Sequence, residues 1–326
     1  MVPCFLHSLW YHSFFWGGDY VIDLHHDLLS ILYYSYIRND YSYVSSWIKN
    51  FHGNNVSGLL ANLYFMNLDE MEKEVGCRDF DVIEMFKIST SLFHKYLPNT
   101  KVLFSIEGCD YIESIDQLEE LYNLGLRNIL LVWNNPNKYA SGNRGRYGLT
   151  EEGRVFLRKA IDLGISIDLS HMNRQTFFDT IDFIKEERSN GKNPKVIASH
   201  SNCFSICKHL RNLDDDQLRA LKSVDGLLGL VAFGGFTRDE GDSIDLKELY
   251  LEHVSHAVSI IGIDSVGIST DDMTFSKKLF LEDFGEMVFD YSKVKIDLED
   301  LLSKKFSRED IKKIMYFNSY NKLFKE

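Results

Sequence analysis

Four prolines in 326 residues (Pro3, Pro98, Pro136, Pro194) and no Gly/Ser-rich stretch leave no segment with the composition of an interdomain linker. Cysteine is scarce as well. The five (Cys4, Cys77, Cys109, Cys203, Cys207) are an odd number without a Cys-x-x-Cys pair. That excludes a disulfide framework and reads as reduced thiols in a cytosolic-type compartment. Long apolar runs are missing: the 11 residues from Gly226 to Phe236 are too few to span a bilayer. The aromatic start, Met1 to Trp16, has no basic region and is broken by His7 and His12, and no hydrophobic anchor tail closes the sequence. The expectation is a soluble, cytoplasmic protein with no membrane partner. Basic residues are outnumbered, 36 Lys+Arg against 48 Asp+Glu. The net charge of −12 repels phosphate backbones and argues against a nucleic-acid partner. With 44% hydrophobic and 13% aromatic residues, the chain has enough to bury a large core, which excludes disorder.

What is present is an alternation of short apolar runs with longer helical patterns. Eight runs read as buried parallel strands: 20–24, 57–65, 101–106, 127–133, 165–170, 195–199, 227–233 and 265–270. Between them, Val82, Phe86, Phe93 and Leu97 share one helical face. Thr150 caps a helix that stops at Gly164, Asn173 caps the next, and Asp245 precedes a third. Ser307 and Asp310 open the final helix in the manner of a capping box. Eight β-then-α units predict a single α/β domain, 1–326, built as a (β/α)8 TIM barrel of the metallo-dependent hydrolase type. Its surplus lies in an N-terminal extension, 1–19, and a long loop, 273–306. Strand count alone does not show closure, so a doubly wound open sheet is the alternative.

In a barrel the chemistry gathers at the C-terminal ends of the strands. Here those ends read Asp23-Leu24-His25-His26-Asp27, Glu107-Gly108, Asp168-Leu169-Ser170-His171, Ala198-Ser199-His200-Ser201 and Ser269-Thr270-Asp271-Asp272. Residues two apart on a strand point the same way, so His25 and Asp27 reach one cation, with Asp23 behind them and His26 facing away. Imidazole with carboxylate suits zinc, and manganese or iron less well. His171 and His200 provide for a second ion, and Glu107 is placed to bridge the two. A dinuclear site of this kind holds a bridging hydroxide and polarises a carbonyl, with Asp271 as proton acceptor or anchor for the water. Taken singly, each residue also has an ordinary structural role: a hydrogen-bonded strand-end histidine, or a solvated turn glutamate. What points to metal is five ligand-type residues together at the ends of four predicted strands.

At these residues the sequence resembles the membrane dipeptidase (renal dipeptidase) family of zinc peptidases, in a bacterial-type form. The resemblance is carried by Ile22-Asp23-Leu24-His25-His26-Asp27-Leu28, Ile106-Glu107-Gly108, Gly148-Leu149-Thr150, Ile167-Asp168-Leu169-Ser170-His171, Ile197-Ala198-Ser199-His200-Ser201 and Arg211-Asn212. It runs from about Tyr20 to the C-terminal helix, where Ile314 and Asn318 fit the family's ending. It implies a dimeric barrel with two Zn2+ ions that hydrolyses dipeptides. His25 and Asp27 then bind one ion, His171 and His200 the other, and Glu107 bridges. Arg211 binds the substrate carboxylate, a role its planar guanidinium suits, although in Lys208-His209-Leu210-Arg211 it otherwise reads as a solvated basic face. Asp271 matches the family's acidic residue after the last strand.

Two departures bear on the substrate. Where the mammalian enzyme has a substrate-contacting histidine after strand 4, this sequence has Trp133, whose indole donates one hydrogen bond and takes no proton. Trp133 is therefore either a substrate contact or a packing residue under the active-site loops. After strand 8 the family's Gly-rich ending is replaced by Thr270-Asp271-Asp272-Met273. These changes leave room for another metal-dependent amide or lactam hydrolase, including a tailoring peptidase on a cysteinyl-glycine-type adduct. A catalytically silent binding barrel is a third possibility, opposed by the intact ligand set. His253 and His256 read as half-exposed helix residues, Cys203 and Cys207 as core thiols, and His209 as a residue bordering the Arg211 pocket.

Overall fold

Each of the eight apolar runs forms a strand in the computed structural model, which describes residues 20–54, 56–64, 81–272, 274 and 285–325. The strands are β1 (Val21–His26), β2 (Val56–Tyr64), β3 (Lys101–Glu107), β4 (Leu126–Leu130), β5 (Ser166–Asp168), β6 (Val196–Ala198), β7 (Leu227–Val231) and β8 (Val266–Ser269). They pair in parallel and in sequence order, and β1 returns to β8 through Asp23 opposite Ile268. The sheet is therefore a closed barrel, and the open doubly wound alternative is excluded. Closure needs close backbone approach. At Gly229 in β7 a Cβ atom would lie 1.9 Å from the Ser199 carbonyl, so the position admits no side chain.

The helices are α1 (Leu28–Arg38), α2 (Ser42–Gly53), α3 (Val82–Tyr96), α4 (Ile115–Asn123), α5 (Glu151–Leu163), α6 (Arg174–Ser189), α7 (Asp215–Ser223), the single turn α8 (Gly234–Thr237), α9 (Leu246–Ile261), α10 (Val294–Leu302) and α11 (Arg308–Lys312). The expected caps are in place. Thr150 accepts from the amide of Gly153, Asn173 from Thr176 and Asp245 from Lys247 and Glu248, while Gly164 ends α5 at φ 78°. Ser307 accepts from the amide of Asp310, and the Asp310 carboxylate in turn accepts from the Ser307 hydroxyl. The chain then continues beyond α11 through wide π turns at Lys313–Phe317 and Tyr320–Phe324.

The apolar core has two parts. The larger lies between the barrel wall and the helices, where Phe86, Phe93, Phe156, Phe177 and Tyr250 are fully buried. The smaller fills the barrel itself with Ile22, Leu24, Leu60, Ile197 and Leu227. Leu323, from the last π turn, completes it, so the C-terminal segment stoppers the barrel.

The stretch expected as a long loop, 273–306, is not one throughout. Among its described residues Val294, Leu298, Leu301 and Leu302 form the buried face of α10. The expected extension 1–19, with Cys4, and also Cys77 and Met273, lie outside the described residues. No helix among the described residues is long and apolar enough to cross a membrane.

Candidate active site

Glu107 ends β3 with its carboxylate divided between two groups of ligands. Its Oε2 lies 3.2 Å from Nε2 of His25, at the end of β1. Its Oε1 lies 2.8 Å from Nε2 of His171 and 3.4 Å from Nε2 of His200, which follow β5 and β6. Asp27 and Asp271 complete the first group: their Oδ1 atoms are 3.6 and 3.8 Å from Nε2 of His25. The strand ends thus bring together all five expected metal ligands and Asp271. Two overlapping sets have mutual spacings suited to a metal ion: His25, Glu107 and His200; and His25, Asp27 and Asp271. A His/Glu/Asp cluster able to coordinate one or two ions is present.

The residues fit such ions on two counts. Buried Asp27 Oδ1 makes no hydrogen bond of normal length, its nearest positive group being the His25 ring at 3.6 Å, so a metal ion between them would satisfy both. The Nε2 atoms of His171 and His200 also face each other at 2.9 Å, two lone pairs or protons converging on one point. The backbone is strained at the same place. His171 (φ 69°) and Asp271 (φ 45°) are two of four non-glycine residues with positive φ among those described.

Electrostatics follow from burial and proximity. Burial lowers His171 to about 3, aided by the nearby Arg211 charge, and pushes His200 well below its usual value. Both imidazoles are thereby neutral and able to donate a lone pair. Burial also opposes a charge on His25, but Glu107, Asp27 and Asp271 outweigh it and hold its proton well above the ordinary range. The same burial raises Asp27 to about 6 and Asp271 to about 7, against the favourable His25 charge. Glu107 stays ionised, because despite its burial His25 and His171 hold its carboxyl well below the ordinary value.

Arg211 is 4% exposed, and its Nη2 donates to the His200 carbonyl at 3.2 Å. Its Nε has no partner, and its guanidinium carbon sits 5.4 Å from the centre of the Phe236 ring. Burial lowers its pKa to about 10, so the charge persists at neutral pH. The solvated basic face that Arg211 suggested is replaced by a buried cation. Asn202 and Asn212 pin the loop that carries it: the Asn202 amide nitrogen donates to the carbonyls of Val231 and Phe236, and that of Asn212 to Cys207 and Phe236. His209 Nδ1 accepts from the Arg211 amide, and its ring lies 4.6 Å from that of Phe236.

Trp133 is half-buried between Tyr64, at 5.0 Å between ring centres, and His171, at 6.0 Å. It borders the cluster, and its backbone carbonyl lies so close to Gly142 that a Cβ there would meet it at 1.9 Å. Asp23 turns from the cluster toward Thr270, accepting from its hydroxyl at 2.5 Å and its amide at 2.8 Å, and so ties β1 to the end of β8. His26 faces away, as the strand alternation requires, and packs against Trp47 and Tyr291. His253, expected at the surface, is fully buried, its Nδ1 accepting from the Cys203 amide and its Nε2 bonded to the Thr237 carbonyl. His256 is half-buried, paired with Asp215 at 2.8 Å.

Sequence reasoning did not single out the side chains that touch the other face of each histidine. Asn134 Oδ1 is 3.0 Å from His171 Nδ1, Asn62 Nδ2 2.9 Å from His25 Nδ1, and Ser199 Oγ 2.8 Å from His200 Nδ1. The one available signal was a polar residue inside an otherwise apolar strand, as with Asn62 in Leu59-Leu60-Ala61-Asn62-Leu63.

Comparison with known proteins places this geometry. The family described as Membrane dipeptidase (Peptidase family M19) matches residues 87–325. That range includes Glu107, His171, His200, Arg211 and Asp271, whereas His25 and Asp27 lie before it and join the cluster through barrel closure. Among solved structures, a dipeptidase described as a family M19 metallopeptidase superposes with a TM-score of 0.74 at 20% identity, covering 93% of this chain and 97% of its own. A metallopeptidase from Rhodobacter sphaeroides, liganded with a phosphinate mimic of L-Ala-D-Ala, gives 0.73 at 20% identity, covering 93% and 98%. An uncharacterised dipeptidase of Schizosaccharomyces pombe is 28% identical over 206 residues, 61% of this chain and 45% of its own length. An uncharacterised protein of Acinetobacter calcoaceticus is 29% identical over 172 residues, 48% of this chain and 52% of its own. The chain spans about half the length of the curated relatives it matches. With more than half of its residues matched, the chain belongs to the membrane dipeptidase family, peptidase family M19.

Proposed function

We propose that the chain is a metal-dependent dipeptidase with two Zn2+ ions, one between His25 and Asp27, the other between His171 and His200, with Glu107 shared. The observation that carries it is the division of the Glu107 carboxylate, Oε2 toward His25 and Oε1 toward His171 and His200. Two divalent cations there supply the Lewis acidity that makes water a nucleophile at neutral pH and polarises the scissile carbonyl. The chain's own residues do the rest. Arg211 holds the terminal carboxylate, because a buried guanidinium with an unpartnered Nε suits a planar anion. Asp271, its carboxylate within 3.8 Å of His25 at the edge of the cluster, takes a proton from the attacking water and passes it to the leaving amine. Trp133 lines the substrate side next to His171 as an apolar wall or single donor.

Membership of the M19 family supports the peptide-bond chemistry. The phosphinate mimic of L-Ala-D-Ala bound to the Rhodobacter sphaeroides relative favours a small dipeptide as substrate. The resemblance favours a homodimer. The buried free thiols Cys109, Cys203 and Cys207 suit a reducing cytoplasm. Metal content per chain, followed by hydrolysis of a panel of L,L- and L,D-dipeptides, tests the proposal. Two equivalents with turnover are expected. One equivalent or none removes the bridging role of Glu107, and metal-replete protein that cleaves no dipeptide removes the substrate class in favour of another amide or lactam.

A further inference from the structure

Ser199 stands between the two halves of the centre. Its hydroxyl is 2.8 Å from Nδ1 of His200 and 3.3 Å from Nδ1 of His25, whose rings are 3.6 Å apart between centres. All three residues are buried. Behind Ser199 is Asp168, also fully buried, whose Oδ1 accepts from the amides of Ser199, at 3.1 Å, and Ser170, at 3.0 Å. The Ser170 hydroxyl in turn accepts from the His200 amide at 3.1 Å. Asp168 Oδ2 is 3.4 Å from the amide nitrogen of Asn128, and the carboxylate also faces the Ser199 hydroxyl.

A histidine that ligates through Nε2 keeps its proton on Nδ1 and needs an acceptor there. A hydroxyl has two lone pairs and one proton, so it accepts from both rings only if its own proton goes elsewhere. The Asp168 carboxylate, which holds the Ser199 amide at 3.1 Å, is the anion beside it. His25 has a second neighbour in Asn62. The Asn62 amide nitrogen faces the ring while Oδ1 is without a partner, so reversing the amide supplies a further acceptor. His171 relies instead on Asn134 Oδ1.

We infer that Ser199, oriented by Asp168, is a positioning residue shared by both metal-binding halves, fixing the ring orientation and tautomer of His25 and His200 together. The inference rests on the two-ion reading above. Removing the hydroxyl then weakens both equivalents at once, whereas removing Asn134 weakens one.

Co2+ is the probe, its visible absorption read for each equivalent in chelator-buffered titrations of the full chain, with circular dichroism as a check of folding. Ser199→Ala is expected to weaken both equivalents by about 10- to 100-fold, the usual effect of losing such a partner. Asp168→Asn should weaken both as well, and Asn134→Ala only one. In Co2+-loaded Ser199→Ala, the absorption of both equivalents should be shifted from that of the parent, a change that general loosening of the core does not produce. The inference is overturned if Ser199→Ala binds both equivalents within twofold of the parent, or loses only one. A parent chain that takes up no Co2+ overturns the two-ion reading, and this inference with it.

Discussion

Asp271 and Arg211 differ in what each touches, and their replacements should separate accordingly. Asp271 leaves the barrel at φ 45°, its amide bonded to the His25 carbonyl at 3.1 Å, so the backbone and not the side chain fixes its place. Asp271→Asn keeps that backbone and removes the proton acceptor. We expect kcat to fall by roughly 10²–10⁴ with metal content unchanged, measured by steady-state kinetics beside metal analysis. Loss of metal instead would make Asp271 a ligand, as its 3.8 Å approach to His25 permits. In the proposed role, Arg211→Met would remove a charge-assisted pair with the substrate carboxylate. About 10- to 150-fold in kcat/KM is expected, the equivalent of roughly 1.5–3 kcal/mol. A substrate lacking the terminal carboxylate should be insensitive to the change.

At the scale of the element, the helix caps were legible because each is a local event. Thr150, Asn173, Asp245 and Ser307 are short polar side chains that reach an amide two or three residues ahead. The start of α10 was not legible, because Lys293 in the capping position makes no side-chain bond and leaves only a pattern of apolar residues. His253 on α9 escaped for another reason: its spacing from Leu249, Tyr250 and Ala257 puts it on the buried face, but its residue type reads as polar surface until the Cys203 amide and Thr237 carbonyl are seen to satisfy it. There, with burial as the main cause, its pKa falls to about 4 from the ordinary 6.5. The unfolded chain therefore takes up a proton between those values that the folded chain refuses, and stability falls as pH drops from 6.5 to 4. The slope from this one group is at most about 1.4 kcal/mol per pH unit. Denaturant midpoints of the metal-free protein across that range should flatten in His253→Gln. An unchanged slope would assign the acid sensitivity to other groups.

For the molecule as a whole, the eight strands converge on a centre where protons and cations compete. Asp27 at about 6 and Asp271 at about 7 are raised by burial, so in the metal-free fold they hold protons above their unfolded values. A bound cation reverses this by favouring the ionised carboxylates. Zn2+ has to displace the proton held on His25 as well as those on Asp27 and Asp271, so its stabilisation is larger at pH 8 than at pH 7 and weakens further as pH falls through 7 and 6. Thermal melts with and without chelator at pH 8 should differ by about 2.7 kcal/mol at a hundredfold excess over Kd, and the difference should narrow as pH falls below 7. Melting curves that coincide at pH 8 would count against a structural contribution from the metal.

The sequence by itself determined the strands, their order and the ligand types at their ends, since each depends on a few neighbouring residues and on a period of two or 3.6. It also placed the C-terminal helix and, through the family resemblance alone, pointed to Arg211 beside the cluster. Tertiary structure alone decided three things. Barrel closure set His25 of β1 beside Glu107 of β3 and Asp271 after β8, contacts that span 82 and 246 residues of chain. The loop pinned by Asn202 and Asn212 buried Arg211, which local sequence presents as an exposed basic face. The packing of β5 against β6 put Asp168 behind Ser199, and Ser199 behind two histidines. A hydrogen bond between side chains distant in sequence leaves no periodic trace, so such support is visible only once the strands are side by side.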